Sequence, residues 1–262
     1  MSAEGTTLPK FVEEAAITAH ERLIAGVYRM TLTSPAVAAH ALPGQFVDVS
    51  VPHGTSILRR PLGIAEVSRT EGWIRLIYRT VGRGTQALAA ARPGAYVSVL
   101  GPLGRGFHTD LGHPLLVGGG MGLTPLLFFA AESARTASVL MGGRTKEELF
   151  WERIYAPYVR GLFMTTDDGS HGVKGFVTTV LPDLLAGGDY DGVAVCGPPA
   201  MMRRVAAIAA SHGVSCEVSL ERHMACGLGA CLSCAVDTKH GRRKVCKDGP
   251  VFPAGEVYDD AS

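Results

Sequence analysis

The chain has 262 residues, 47% of them hydrophobic, with 25 Lys and Arg against 24 Asp and Glu and a formal net charge of +1. That length buries one large core or two ordinary ones. The near-zero charge, with no basic run longer than Arg242–Arg243–Lys244, argues against nucleic acid or an anionic membrane surface as the main partner. The opening MSAEGTTLPK has no charged-then-apolar leader pattern, and the longest apolar stretch, around Leu123–Ala131, is too short to cross a bilayer. A cytoplasmic protein with no membrane segment is expected. In that setting the six cysteines favour metal or catalysis over disulfides.

Residues 1–7 read as a loose tail. From Lys10 to Leu100 the signals are those of strands: Val27–Leu32, Gln45–Ser50 and Trp73–Tyr78 alternate, and Pro43–Gly44, Glu71–Gly72 and Pro93–Gly94 mark turns. Short strands at this spacing predict a small antiparallel barrel or sandwich. A short helix is expected at Thr85–Ala91. The Gly- and Pro-rich stretch Gly101–Phe107 reads as a domain linker.

Beyond it, strands at Pro114–Val117, Ala137–Met141, Gly161–Thr165 and Gly192–Cys196 alternate with helices: one running to about Arg135, then Lys146–Tyr155, Thr178–Leu185 and Pro199–His212. This alternation predicts a doubly wound parallel sheet with flanking helices. Val214–Leu220 is expected as its last strand, with Cys216 in the core. The expected organisation is thus an antiparallel barrel at 8–107, an α/β domain at 108–220 and a cysteine-loop subdomain at 221–262.

Several stretches carry chemistry. Cys226, Cys231, Cys234 and Cys246 stand as C-x4-C-x2-C-x11-C, the spacing of a plant-type [2Fe–2S] site. Gly227 and Gly229 let the backbone wrap a bulky anion, and loop N–H groups can point at the sulfurs. Zinc is the rival: structural zinc sites bring two short-spaced pairs, and this stretch has only one, Cys231 and Cys234. Arg59 and Arg60, ahead of Pro61, are suited to a pyrophosphate, or are simply a solvated face. Gly82 and Gly84, with Thr85, can turn N–H groups to a phosphate, though a hairpin turn is the plain alternative.

Gly118, Gly119, Gly120 and Gly122, followed by Thr124, join a strand to a helix where doubly wound sheets bind nucleotides. The third position of G-x-G-x-x-G falls on Leu123, so tight packing is an equal reading. Cys196, Gly197 and Pro198 end a strand and could line a nicotinamide pocket. Asp167 and Asp168 point to the same rim, or form a solvated turn. The nine histidines form no ligand pattern.

The stretches RRPLGIAEV (59–67), IYRTVGRGT (77–85), GPLGRGF (101–107) and GGGMGLTPLL (118–127) resemble, in order, the ferredoxin-reductase superfamily. DGSHGVKGFVT (168–178), CGPPAMM (196–202), SLERHMACGLGACLSCAV (219–236) and KVCKDGPVF (244–252) continue the likeness. Within the superfamily the chain is most similar to the electron-transfer subunits of class 1B dihydroorotate dehydrogenases.

The resemblance implies flavin contacts at Arg60, Pro61, Leu62, Gly63, Ile77, Tyr78, Arg79, Gly84 and Thr85, and cluster ligation by the four cysteines. Gly63 stands where the family usually has serine, and Arg105 where asparagine is common. The implied cofactors are FAD and [2Fe–2S], with NAD as co-substrate. A hydride carries two electrons and a cluster one, so a flavin between them is the converter. The implied partner is an FMN-containing dihydroorotate dehydrogenase catalytic subunit, in a two-plus-two heterotetramer serving pyrimidine (UMP) biosynthesis; this chain has no dihydroorotate site of its own. The same fold also serves as the diaphorase subunit of a sulfhydrogenase or in a ferredoxin:NADP transhydrogenase.

Overall fold

Alternating apolar residues in the first hundred positions close a barrel. The computed structural model describes residues 9–52 and 56–258; the expected N-terminal tail lies outside them. The elements of the barrel are β1 (Phe11–Ile24), β2 (Val27–Thr33), α1 (Pro35–His40), β3 (Phe46–Val49), β4 (Arg60–Ser68), β5 (Trp73–Arg79), α2 (Arg83–Ala89) and β6 (Tyr96–Leu103). The strands close in the order β1-β2-β5-β4-β3-β6, every pair antiparallel. Period-two patterning turns Ile17, Met30, Leu32, Val47, Val49, Ile64, Ile74, Leu76, Val97 and Val99 into one buried cluster.

Helix α2 begins two residues before its expected start. The Thr85 hydroxyl accepts hydrogen bonds from the Val81 and Gly82 amides and so fixes the first turn. The stretch Gly101–Phe107 is not a free linker. Its first three residues complete β6, where Gly101 pairs with Phe11 and Leu103 with Phe46. The rest is stitched down, since the Arg105 amide donates to Gly249 and the Phe107 amide to Pro43. A Gly- and Pro-rich composition signals turns, but here the surrounding strands supply the partners that make it a strand end.

The second unit comprises β7 (Pro114–Gly119), α3 (Leu123–Glu132), β8 (Ser138–Gly143), α4 (Trp151–Tyr155), β9 (Gly161–Thr166), β10 (Val173–Lys174), α5 (Val177–Gly187), β11 (Gly192–Cys196), α6 (Pro199–Ser211) and β12 (Cys216–Ser219). Where one helix was expected over Lys146–Tyr155, a 3-10 turn at Lys146–Leu149 precedes the short α4. Next come β13 (Ala235–Thr238), β14 (Gly241–Lys244), α7 (Val245–Asp248), β15 (Val251–Pro253) and α8 (Ala254–Val257). The sheet order is β10-β9-β8-β7-β11-β12-β15. All neighbours are parallel except β15, which runs antiparallel to β12. The order reverses between β7 and β11, so a crevice opens there at the strand C-termini.

Helix α3 is apolar nearly all round because it is covered on two sides. Leu123, Leu126, Leu127 and Phe129 pack with the sheet, while Phe128 enters the barrel cluster. Burying one such side chain stabilises by roughly 1.5–3 kcal/mol. The helix ends where Ala134 and Arg135 take positive φ. The cysteine segment lies between β12 and β15 and shares a core with the sheet through Cys234, Val236, Val245, Cys246 and Phe252.

Candidate functional site: a cysteine loop, a barrel face and a cleft

The cysteine loop is shaped by backbone conformation. Gly227 (φ +65°) and Gly229 (φ +83°) occupy the left-handed region, and so does Leu232 (φ +63°). A Cβ at Gly227 would run into the carboxylate of Asp48 on β3, so this glycine also allows the loop to close on the barrel. The Lys244 ammonium donates to the Gly229 carbonyl at 2.7 Å and ties the loop to β14.

The turns bring amides onto sulfur. Leu228 and Ala230 donate to the Cys226 sulfur at 3.4 and 3.3 Å, and the Cys246 amide donates to the Cys234 sulfur at 3.4 Å. Burial pushes the Cys226 thiol up, but amides of Cys231, Leu228 and Ala230 outweigh it and bring it down to about 6. Burial, with Cys234 against it, pushes the Cys246 thiol up to about 12.

Cys231 lies close enough to Cys226, and Cys234 to Cys246, to act on the neighbouring thiol, and Cys226 acts on Cys246 as well. Among the described residues no three His, Cys, Asp or Glu side chains gather around one metal ion. Four neighbouring thiols, with main-chain amides donating to the Cys226 and Cys234 sulfurs, fit an iron–sulfur cluster, which these residues would hold and whose potential such amides would tune. One pair has its outer sulfur exposed, at Cys231, while Cys234 and Cys246 are buried.

On the barrel, Arg59 and Arg60 have different employment. Arg59 is spent on the fold, donating to the Ser98 carbonyl at 2.7 Å and the Ser98 hydroxyl at 3.0 Å. Arg60 holds the turn before it, through the Leu58 carbonyl at 2.9 Å and the Ser56 hydroxyl at 2.8 Å. Its guanidinium lies against Gly84, where a Cβ would collide with it. Arg60, Gly84 and Thr85 are thus brought to one place, with nothing filling the space a side chain would take at Gly82. Such a cradle, a guanidinium held in place by Leu58, Arg59 and Ser56 beside bare backbone, fits a flavin pyrophosphate.

Pro61, Leu62 and Gly63 follow on β4, paired with Asp48, Val47 and Phe46 of β3. Gly63 faces Thr124 and Pro125 of α3 at ordinary van der Waals distance. The Thr124 hydroxyl donates to the Ile77 carbonyl at 3.3 Å, so it clasps α3 to β5 and is not free for a ligand. Tyr78 turns into the barrel, where its hydroxyl meets His20 Nε2 at 3.0 Å and burial raises its pKa; only its main chain is left for a cofactor. Arg79 lies near Glu148 of the second unit.

The cleft of about 970 Å³ at the strand C-termini is lined by Gly119, Gly120, Gly122, Gly197, Pro198 and, on the far rim, Asp167, among others. Gly118, Thr124 and Cys196 lie beneath it rather than on its wall. A Cβ at Gly118 would strike Leu123, and one at Gly122 would strike the Cys196 carbonyl, so these glycines let α3 approach β11. Cys196 is enclosed, and burial, with Glu221 beside it, pushes its thiol well up; it is not a free nucleophile.

The cleft also contains residues that sequence reading passed over. Arg144, Glu148, Thr165, Phe176 and Arg222 all line it. Arg144 could have been found, since it stands about twenty residues beyond the glycine turn, where doubly wound sheets read the adenosine ribose. Nothing in the sequence marks Thr165, a strand residue like its neighbours. Asp168 is occupied by the Ser170 amide at 2.9 Å.

Known proteins match in the same arrangement. Residues 15–108 match the oxidoreductase FAD-binding domain, and residues 221–258 the iron-sulfur cluster binding domain of dihydroorotate dehydrogenase B. The dihydroorotate dehydrogenase B (NAD(+)) electron transfer subunit of Geobacillus sp. (strain WCH70) is 37% identical over 256 residues, 94% of this chain and 98% of that protein. Its counterpart in Desulforamulus reducens is 38% identical with the same coverage.

Among solved structures, an NADH-dependent reduced ferredoxin-NADP oxidoreductase, described for flavin-based electron bifurcation, superposes with a TM-score of 0.84. It is 31% identical, over 98% of this chain and 92% of that one. A ferredoxin reductase of carbazole 1,9a-dioxygenase shares the fold, with a TM-score of 0.65 over 79% of this chain and 68% of that one at 23% identity. With a barrel that carries the cradle, a sheet that carries the cleft and a loop that pairs four cysteines, matched along nearly its whole length, the chain belongs to the family of dihydroorotate dehydrogenase B electron transfer subunits.

Proposed function

We propose that this chain is the electron-transfer subunit of an NAD-dependent dihydroorotate dehydrogenase, working in the cytoplasm in pyrimidine (UMP) biosynthesis. Cys226, Cys231, Cys234 and Cys246 hold the [2Fe–2S] cluster. Arg60, Pro61, Leu62, Gly63, Gly84 and Thr85, with the main chain of Ile77, Tyr78 and Arg79, hold FAD. The cleft beside Gly119, Gly120, Gly122, Gly197 and Pro198 receives NAD. When bound, the flavin supplies the exchange between two-electron and one-electron transfer.

The chain's own residues organise the route. The observation that carries the reading is the docking of the paired-cysteine loop on the barrel at Gly227 and Asp48. One cysteine pair is buried toward the protein core, and the other reaches the surface at Cys231 between the exposed Leu228 and Leu232. That exposed end is where a catalytic subunit carrying FMN would approach, in a two-plus-two heterotetramer. The Thr124–Ile77 clasp fixes α3 against β5 and with it the barrel against the wall of the cleft. Among the described residues no helix is long and apolar enough to cross a membrane.

Gentle affinity capture from the source cells, with the bound partner identified by mass, tests this. Recovery of an FMN-containing dihydroorotate dehydrogenase is expected. The likeness to the ferredoxin-NADP oxidoreductase structure favours a second reading, a transhydrogenase subunit with the same wiring. Recovery of a large transhydrogenase or hydrogenase subunit instead would overturn the substrate and keep the cofactors.

A further inference from the structure

Doubly wound sheets distinguish the two nicotinamide dinucleotides at the end of the strand next to the glycine turn. An acid there bonds the ribose 2′-hydroxyl of NAD, and an arginine accommodates the 2′-phosphate of NADP. In this chain the strand next to β7 is β8, and the residue immediately after it is Arg144. By residue type alone the position reads as an NADP site.

The geometry around it says otherwise. Arg144 Nε and one terminal nitrogen both donate to Glu148 Oε1, at 2.8 and 2.5 Å, and the Arg144 amide donates to Glu148 Oε2 at 2.9 Å. One carboxylate thus occupies the Nε edge of the guanidinium and the amide beneath it, the edge and the amide that would grip a phosphate together, and among the described residues leaves only the other terminal nitrogen unbonded. Glu148 itself lines the cleft and is held ionised by that pairing.

Asp167, at the end of β9, lies close enough to Arg144 to act on its charge and lines the same rim. No hydrogen bond to its carboxylate is formed by the described residues, whereas that of Asp168 is used by a turn. Below them Thr165 is wholly buried, lines the cleft and has no partner for its hydroxyl among the described residues. An orphaned hydroxyl at the foot of a cleft marks a place completed by a ligand. Phe176 stands exposed at the same end, a flat face for a base.

We propose that Arg144 is a latent 2′-phosphate ligand held out of use by Glu148, and that this pair, with Asp167 beside it, selects NAD(H) over NADP(H). The inference rests on the reading of the cleft as the dinucleotide site. With the Arg144 charge neutralised by Glu148, the charge of Asp167 is left to oppose an incoming 2′-phosphate, while a 2′-hydroxyl can donate to Asp167. The selectivity is therefore a repulsion built around an arginine that would otherwise attract.

The test uses the intact FAD- and cluster-loaded chain under anaerobic conditions, with NADH and NADPH compared by the rate at which each bleaches the flavin. The wild type should favour NADH. Glu148→Gln keeps the shape, frees the guanidinium and should move the NADPH-to-NADH ratio at least about tenfold toward NADPH, the scale of one new charge-assisted hydrogen bond to the 2′-phosphate. Adding Arg144→Ala should abolish that gain.

A Glu148→Gln protein that holds FAD and keeps the wild-type ratio would overturn the proposal, as would a wild type that already prefers NADPH. Should Glu148→Gln fail to hold FAD, Asp167→Asn is the second arm. A shift toward NADPH supports the proposal, and an unchanged ratio overturns it. If neither nucleotide bleaches the wild-type flavin, the dinucleotide reading of the cleft falls first, and the selectivity claim with it.

Discussion

The barrel and the cysteine loop reach defined shapes by opposite means. The barrel is made by side chains: alternate residues of six strands meet in a dry cluster, and its loops follow. The loop is made by the main chain. Its turn residues sit at positive φ, its amides point at sulfur, and its larger apolar side chains, Leu228 and Leu232, are exposed. A region organised by packing keeps its shape without a cofactor. A region organised by amides around sulfur leaves its last interactions to the bound group, as metal-coupled folding requires. The two should therefore fail independently.

The largest effect expected is on the loop. Cys234→Ser removes one sulfur of the inner pair and should abolish the cluster's visible absorbance and its reduced-state paramagnetic signal while FAD content stays near one per chain. Loss of FAD together with the cluster would mean that the barrel depends on the loop. The converse is Leu76→Ala, in the middle of the barrel cluster. It should cost about 2–5 kcal/mol of stability in denaturant unfolding, and cluster content in the protein still folded should be unchanged. A barrel that loses less than about 1 kcal/mol would show that packing is not what holds it.

The third prediction concerns the place where the two regions touch. Burial pushes the Asp48 carboxyl up to about 6, with Arg59 offsetting part of it. A carboxyl raised in the folded state binds its proton more tightly than in the unfolded chain. Its contribution is therefore fully present below the ordinary value of 3.8 and lost as pH rises through about 6. Against Asp48→Asn, the wild type should lose up to roughly 3 kcal/mol between about pH 4 and about pH 8. Parallel stability curves for the two proteins across that range would remove Asp48 from the account.

The smallest effect is on the barrel's outer face. The nearest atoms to a Cβ at Gly63 lie at 3.8 Å, on Thr124 and Pro125, so Gly63→Ser should change melting by no more than about 0.5 kcal/mol. Any larger consequence should appear in FAD affinity, measured by equilibrium dialysis. A destabilised apoprotein would mean that the barrel and α3 leave no room for the hydroxymethyl group.

What the sequence made legible follows the same division. Strand alternation announces the barrel because a one-residue slip would expose its whole core. Cysteine spacing announces the loop because ligands to one cluster must be close in space, and three of the four are close in the chain. Longer-range arrangements were illegible. Gly101–Leu103 looked like a linker because its strand partners, Phe11 and Phe46, are remote. Val251–Pro253 is too short to alternate, and its pairing with β12 spans the whole cysteine segment. The candidate site divides likewise: Gly119, Gly120 and Gly197 stood out as turns, whereas the embrace of Arg144 by Glu148 reads in sequence as an ordinary surface pair four residues apart.

The pairing of β15 with β12 changes the status of the cysteine segment. Residues 220–250 form a closed excursion from a sheet that resumes on the other side of it, not a tail. Strand pairing meets the excursion's closure entropy, so the sheet holds the two ends of the cysteine segment together. The reverse also holds: β15 covers what would otherwise be the open edge of β12, a template for pairing with another chain. The three-residue strand that closes the excursion is thus also what denies the edge of β12 to a second chain.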